Sequence, residues 1–422
     1  MSAPYLCGRC GRFAEGEEWR PGDCRRCWLA YHQPEKWAAG EVVRTPGFGV
    51  AAPVRCEFQR DDVLDRRDRG CAACWTYGCD VYDECQPGDK DPKPGVRRCH
   101  GCPAYTPLGT QSEVLRIEQR MAPGDAVVLS AAVESLHRAH PGRYLTAVDT
   151  VAPQLWEHHP RVVPFDRLGR ITDRLRVVRG DYPAINRSDE RAVHFMQACC
   201  ESLEEQLGVR VPLLVNRPHL HLTDEEKGWM NQVHEETCDP SPYWLVNAGH
   251  KDDFTAKWWG DWNYQAVVDA LRGRVRFAQI GELSPGHTHP ALRGVVDLRG
   301  RTDTRQLMRL VYHARGGLGP STLLQHLCAA FEKPYVLLAG GREPVVWQSY
   351  PKQTLFSAVG QLDCCRDRAC WRSRVVPLGD GAEQDASVCE RPAAVVGRPP
   401  TPDCLARIDP VAVAAAVLAH LG

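Results

Sequence analysis

Tyr335-Val-Leu-Leu-Ala-Gly-Gly-Arg-Glu-Pro344 is the stretch that decides the fold class. Tyr335 to Leu338 has the length and apolar content of a buried strand, and Gly340-Gly341 marks the turn that follows it. Upstream, Tyr243 to Asn247 reads as a strand, Trp262 to Leu271 as a helix, Val275 to Ile280 as a strand and Val295-Val296 as a short one. Asp303 to Ala314 places Leu307, Leu310 and Val311 on one helical face, and Thr322 to Phe331 is a further helix. Downstream, the alanine- and valine-rich run Ile408 to Leu421 closes the chain as a helix. Strands alternating with helices predict a parallel α/β sheet, with ligands at the carboxyl ends of its strands.

A second α/β half precedes this one. Val114 to Ile117 reads as a strand and Gly124-Asp125 ends a loop. Ala126 to His140 is a helix with Leu129, Val133 and Leu136 on one face, stopped by Pro141-Gly142. Tyr144 to Val148 is the next strand, and Trp156 to Pro160 and Val162-Val163 continue the alternation. Glu190 to Gly208 is helical, and the polar run Thr223 to Ser241 reads as a linker. The expected organisation is a zinc ribbon (1–35), a second cysteine-rich module (36–111), one Rossmann-like half (112–235) and another (236–422).

Composition narrows the class. With 422 residues, 43% hydrophobic and 25% charged, the chain is ordinary globular protein for two or three domains. A formal net charge of −1 imposes no nucleic-acid or anionic-membrane partner. No run approaches the ~18 apolar residues of a spanning helix, and the start carries no basic-then-apolar signal. A cytoplasmic protein is the expectation. Twenty cysteines are many for such a compartment, so paired spacings point to metal rather than disulfides. Cys199, Cys200, Cys238 and Cys328 lie in apolar segments and read as buried free thiols.

Cys7-x2-Cys10 and Cys24-x2-Cys27 form two knuckles thirteen residues apart, enough for a hairpin to return and close one tetrahedral zinc. Four thiolates leave no open position, so this zinc is structural. Arg9, Arg12, Arg25 and Arg26 permit nucleic-acid contact, though solvated surface is the plainer reading. In the second module Cys71, Cys74, Cys99 and Cys102 are the natural four-thiolate set, with Cys79 and Cys85 as a partial second site. So little apolar sequence needs a metal staple. In the tail, Cys365, Cys370, Cys389 and Cys404, with Cys364 as a substitute, supply thiolates that would pin the last loop and helix. Zinc is the default metal.

Four places in residues 112–422 together resemble glycosyltransferase family 9, whose best-known members are bacterial heptosyltransferases. Gly124-Asp125 matches the family's Gly-Asp loop, and Lys257-Trp258 its Lys-x-Trp segment. Thr302-Asp303 to Ala314, then His326-Leu327, is similar to the region of the donor-binding Asp-[Ser/Thr]-Gly-x-x-His motif. Cys404 to Val411 resembles the closing helix. The resemblance implies paired Rossmann-type domains of the GT-B kind, an inverting transfer from a nucleotide-diphosphate sugar (ADP-heptose most often) and chemistry without a catalytic metal. It also resembles a protein-modifying subgroup with a cysteine-bound metal near the C-terminus, which makes iron the alternative in the tail. Ser321 stands where the motif has its acid and Leu323 where it has glycine, a departure that touches the donor contacts.

The resemblance assigns Asp125 as general base and Lys257 as partner of the leaving diphosphate. From the residues alone, Asp125 is a helix cap, and Lys257 a loop lysine with Lys251 as rival. Ser321, Thr322 and His326 mark a helix N-terminus suited to phosphate, though His326 also reads as a buried structural histidine. Gly124 belongs to the same loop as Asp125; Gly340 and Gly341 would let backbone approach a phosphate, and Glu282 would meet a ribose. Trp258 and Trp259 read as packing. The acceptor stays open among protein, nucleic acid and glycan; the N-terminal modules favour a macromolecule. The competing function is a zinc-module binding protein with an inactive transferase body.

Overall fold

The computed structural model describes residues 113–164, 175–183, 191 and 193–421, together with a short antiparallel pair, Tyr5–Leu6 against Phe13–Ala14. That pair brackets Cys7 and Cys10 in sequence. The N-terminal cysteine sets, Cys7 to Cys102, lie outside the described residues.

The first half is a parallel sheet of β1 (Glu113–Gln119), β2 (Tyr144–Thr150) and β3 (Leu175–Arg179), in the order β2-β1-β3. Val162 extends it by a parallel bridge to Thr146. Helix α1 (Pro123–Ala139) connects β1 to β2, and α2 (Phe195–Leu207) packs beside it, ended by Gly208 at φ +68°. Proline at the first position and an acidic first turn start α1 three residues before the sequence boundary. The run expected to be a linker instead holds two short helices, Asp224–Gly228 and Gln232–Thr237. They are capped by the side chains of Thr223 and Asn231.

The second half contains β4 (Trp244–Val246), α3 (Asp261–Ala270), β5 (Phe277–Gln279), β6 (Val296–Asp297), α4 (Thr304–His313), β7 (Gly316–Gly319), α5 (Leu323–Ala330), β8 (Tyr335–Gly340) and β9 (Gln353–Ser357). A last helix, α6 (Pro410–Ala419), follows. The six strands are all parallel and run β6-β5-β4-β7-β8-β9. In chain order this is 3-2-1-4-5-6, the doubly wound arrangement, and its order reverses between β4 and β7.

The expected pairing of two parallel α/β halves is observed. Their cores are continuous: one buried apolar cluster includes Leu115 and Leu129 of the first half and Leu324, Leu327 and Trp347 of the second. Arg305 on α4 reaches across to Gln154 O (3.1 Å), His221 O (2.9 Å) and Glu226 Oε2 (2.6 Å). Cys199, Cys200 and Cys328 are buried free thiols as expected, but Cys238 is exposed. It sits at φ +49°, just past the C-terminus of a short helix, where the chain turns outward.

Candidate active site

The reversal between β4 and β7 leaves a crevice at the carboxyl ends of those strands, where open parallel sheets bind ligands. The loops on its two sides are tied together. Asn247, which leaves β4, donates its backbone N–H to Leu318 O (3.0 Å) and its amide to Thr322 Oγ1 (3.2 Å). Thr322 is the N-cap of α5 but its side chain caps no amide, so the first N–H groups of that helix keep their capacity for an anion.

The N-terminus of α1 meets that of α5. A Cβ on Gly124 would stand 3.2 Å from His326 Cδ2 and 3.5 Å from Leu323 N, so glycine permits this approach. The next residue, Asp125, is partly buried. Its Oδ2 accepts from the backbone N–H of Ala122 (3.0 Å) and its Oδ1 from the Tyr182 hydroxyl (2.5 Å). Asp125 thus closes the first turn of its helix with one oxygen and holds a tyrosine with the other. Burial raises its carboxyl above the ordinary aspartate value, against the pull of Tyr182 and Lys257.

Lys257 comes from the second half, at the end of the 3-10 segment Asp252–Lys257. Its Nζ lies 2.8 Å from Glu343 Oε1 and donates to Ser321 O at 3.3 Å. Burial pulls its ammonium below the usual lysine range; Glu343 opposes this most strongly, and Asp125 also contributes. Glu343 is buried, 3% exposed. Burial alone would raise it, but Lys257 and Arg342 bring it down to about 2. Asp125 and Lys257 therefore act on each other's charge at one site, although each belongs to a different half. The rival Lys251 pairs with Asp253 (3.8 Å) at the surface.

The remaining expected residues divide. Ser321 and Thr322 belong to the group. His326 lies beside it, but its ring is buried, bonded through Nδ1 to Tyr350 Oη (3.0 Å) and packed on Phe195. Burial lowers it to about 3, so it is a neutral seam residue rather than a cation for phosphate. Glu282 stands apart: its Oε1 accepts from the amides of Leu283 and Ser284, both at 3.0 Å, and so closes its own loop. Gly340 and Gly341 do permit a close approach, but to sulfur. A Cβ on Gly340 would lie 2.9 Å from Cys404 Sγ, and one on Gly341 2.6 Å from Cys365 Sγ. Trp258 and Trp259 are core residues, and Trp258 Nε1 donates to Ala248 O (3.0 Å).

The tail cysteines converge. Cys364, Cys370, Cys389 and Cys404 line one small cavity with Gly341 and Arg342. Cys365 is buried beside them, its thiol donating to Ala358 O at 3.1 Å. Burial holds the Cys364 thiol up at about 11 and that of Cys404 at about 12. Among the described residues no three His, Cys, Asp or Glu side chains close on a common point as ligands of an ion. The donor set is nonetheless one a soft or borderline cation takes: four thiols around one cavity, with no competing disulfide.

No family model and no curated protein matches this chain. Solved structures similar to it include a glycosyl transferase family 9 protein from Veillonella parvula, with 11% identity, 73% of this chain and 97% of that one covered, and a TM-score of 0.49. An E. coli ADP-heptose lipopolysaccharide heptosyltransferase II is similar at 13% identity, 73% and 98% coverage and a TM-score of 0.48. The iron-containing dodecameric glycosyltransferase TibC of enterotoxigenic E. coli is similar at 16% identity, 74% and 76% coverage and a TM-score of 0.47. At this level of similarity none of the three assigns a family or an activity.

Sequence reasoning missed Tyr182, Arg342, Glu343 and Tyr350. Glu343 carried a signal: an Arg-Glu pair directly after a buried strand and a double glycine, where a carboxylate needs a cation. Tyr182 carried none, because its partner Asp125 is 57 positions away in sequence.

Proposed function

We propose that this chain is an inverting glycosyltransferase of the GT-B kind, moving a sugar from a nucleotide-diphosphate donor to a hydroxyl acceptor. The observation that carries the reading is that Asp125, next to Gly124 packed against Leu323, and Lys257, bonded to Ser321 O, flank the N-terminus of α5 at the strand-order reversal. In the proposed reaction Asp125 takes the acceptor's hydroxyl proton. The oxygen then attacks the anomeric carbon from the face opposite the diphosphate, and the carbon–oxygen bond to the diphosphate breaks. Lys257 and the free amides of α5 receive the charge that develops on the departing nucleoside diphosphate. A carboxyl raised by burial is a stronger base than a solvated one, which suits Asp125 to the task.

The tail cysteines are proposed to hold a structural zinc, with iron as the alternative, through Cys370, Cys389, Cys404 and one of Cys364 or Cys365. A bound cation there would cross-link the segments that carry these cysteines, from the loop after β9 to the short helix Asp403–Ala406. ADP-heptose is the proposed donor and a macromolecule the proposed acceptor.

The test is a nucleotide panel. Purified protein is melted with ADP, UDP, GDP or CDP; a ligand at 100 times its Kd should stabilise by about 2.7 kcal/mol. One nucleotide should stand out, and Asp125→Asn should keep that response while losing transfer. No response to any of the four, or transfer surviving in Asp125→Asn, rejects the reading.

A further inference from the structure

We propose that Glu343 is a positioning residue for Lys257, and that the cysteine-lined loop is what holds Glu343, so the integrity of the cluster sets the affinity of the site for a diphosphate. The inference rests on Lys257 being the diphosphate's partner.

Gly341, Arg342 and Glu343 follow β8 and lie between two sites. On one side is the cysteine loop. The amide of Cys370 donates to Gly341 O (3.1 Å), that of Trp371 to Arg342 O (3.0 Å), and Arg342 Nε to Arg372 O (2.7 Å). The glycines already sit against Cys404 and Cys365, where an added Cβ would not fit, so the segment cannot slide toward the cluster. On the other side is the site. Glu343 pairs with Arg342 and, at 2.8 Å, with Lys257. Arg342 and Glu343 are both buried. Rigid backbone bonds thus run from Cys370, a cavity-lining cysteine, to the carboxylate that aims the Lys257 ammonium.

Two effects of removing Glu343 have opposite signs. Charge alone predicts that losing a carboxylate beside a diphosphate site tightens anion binding. Positioning predicts the reverse. A lysine on a flexible four-carbon stem loses rotamer freedom when it is held, and Glu343 restrains it before the ligand arrives. A buried ammonium left beside Arg342 without its carboxylate would turn away or lose its proton.

The experiment is calorimetric titration of the full chain with ADP, UDP, GDP and CDP. With the nucleotide that wild type binds, Glu343→Gln should weaken binding at least tenfold and Glu343→Asp should recover most of it. Cys370→Pro, which removes the amide that holds Gly341 O, and Arg342→Gln, which removes the Nε bond to Arg372 O, should each weaken binding several-fold; melting curves identify any variant that has not folded, and either one alone suffices. The proposal is overturned if Glu343→Gln binds as tightly as wild type or more tightly. It is equally overturned if a folded cluster-side variant binds as wild type does. Wild type binding none of the four nucleotides rejects the reading of the site itself, and this proposal with it.

Discussion

Asp125 illustrates how a single carboxylate ties a helix start to a distant loop. One oxygen holds the Ala122 amide and the other the Tyr182 hydroxyl, so its rotamer is set from both sides. The sequence shows the first of these duties, a residue in the first turn of an amphipathic helix. The second depends on a tyrosine from a distant loop and is invisible in any local pattern. Tyr182 donates to the ionised form of Asp125 and so lowers its pKa, while burial raises it. In the proposed role of base Asp125 acts only when ionised, so transfer should fail as pH drops through its raised value. Tyr182→Phe deletes the lowering contact. The acid limb of kcat/KM should then move to higher pH, because the ionised carboxylate loses a hydrogen bond that favoured it. A profile of donor consumption against pH checks this; a limb that stays in place shows that the two groups do not act together.

Element by element, legibility followed the apolar pattern. Helices α1 and α2 and strands β1 and β8 have runs of buried aliphatic residues that identify them from sequence. Strand β7 was not legible, because Gly316-Gly317-Leu318-Gly319 reads as a turn. It is nonetheless the central strand at the switch point, with all four residues buried. The reason is aromatic packing on both faces. A Cβ on Gly316 would lie 2.7 Å from the Trp244 ring, and one on Gly317 2.9 Å from the Tyr335 ring. The glycines make room for these rings, and the Tyr335 hydroxyl donates to Pro320 O (2.8 Å) in the loop before α5. Strands β3 and β9 escaped notice for a different reason: they are partly exposed, and neither has a continuous apolar run. Gly316→Ala should destabilise by about 1–3 kcal/mol, because Trp244 is wholly buried and cannot yield. Gly228→Ala, at a helix end with nothing within 4 Å of the new atom, is the control and should be near neutral. Urea midpoints of the two variants measure the difference; equal midpoints would mean the sheet accommodates the methyl.

For the whole molecule, the first half gathers charge-prone groups around two buried histidines, His137 and His159. His137, His159, His219 and His221 share one neighbourhood with Glu134 and Arg161. The rings of His159 and His221 are 4.9 Å apart, and the His221 carbonyl receives Arg305 from the second half. These imidazoles are kept neutral: His137 is lowered to about 4 by burial and by Arg161, with Glu134 opposing, and His159 is lowered by burial and by its fellow histidines. The sign of the consequence is fixed by linkage. Below the unfolded value near 6.5, the unfolded chain takes up protons that the folded one refuses, so stability is full above that pH and is lost as pH falls toward the folded value near 4. For His137 alone the loss at pH 5 is about 2 kcal/mol. His137→Gln keeps a polar amide facing Thr146, which the ring now contacts at 2.9 Å, but cannot take the proton. The variant should be modestly less stable than wild type at pH 7. Its fall between pH 7 and pH 5 should be smaller than wild type's by about 2 kcal/mol. Urea unfolding at the two pH values, followed by the same spectroscopic probe, measures that difference of differences. Parallel losses in the two proteins would place the proton uptake elsewhere and remove His137 from the account of acid sensitivity.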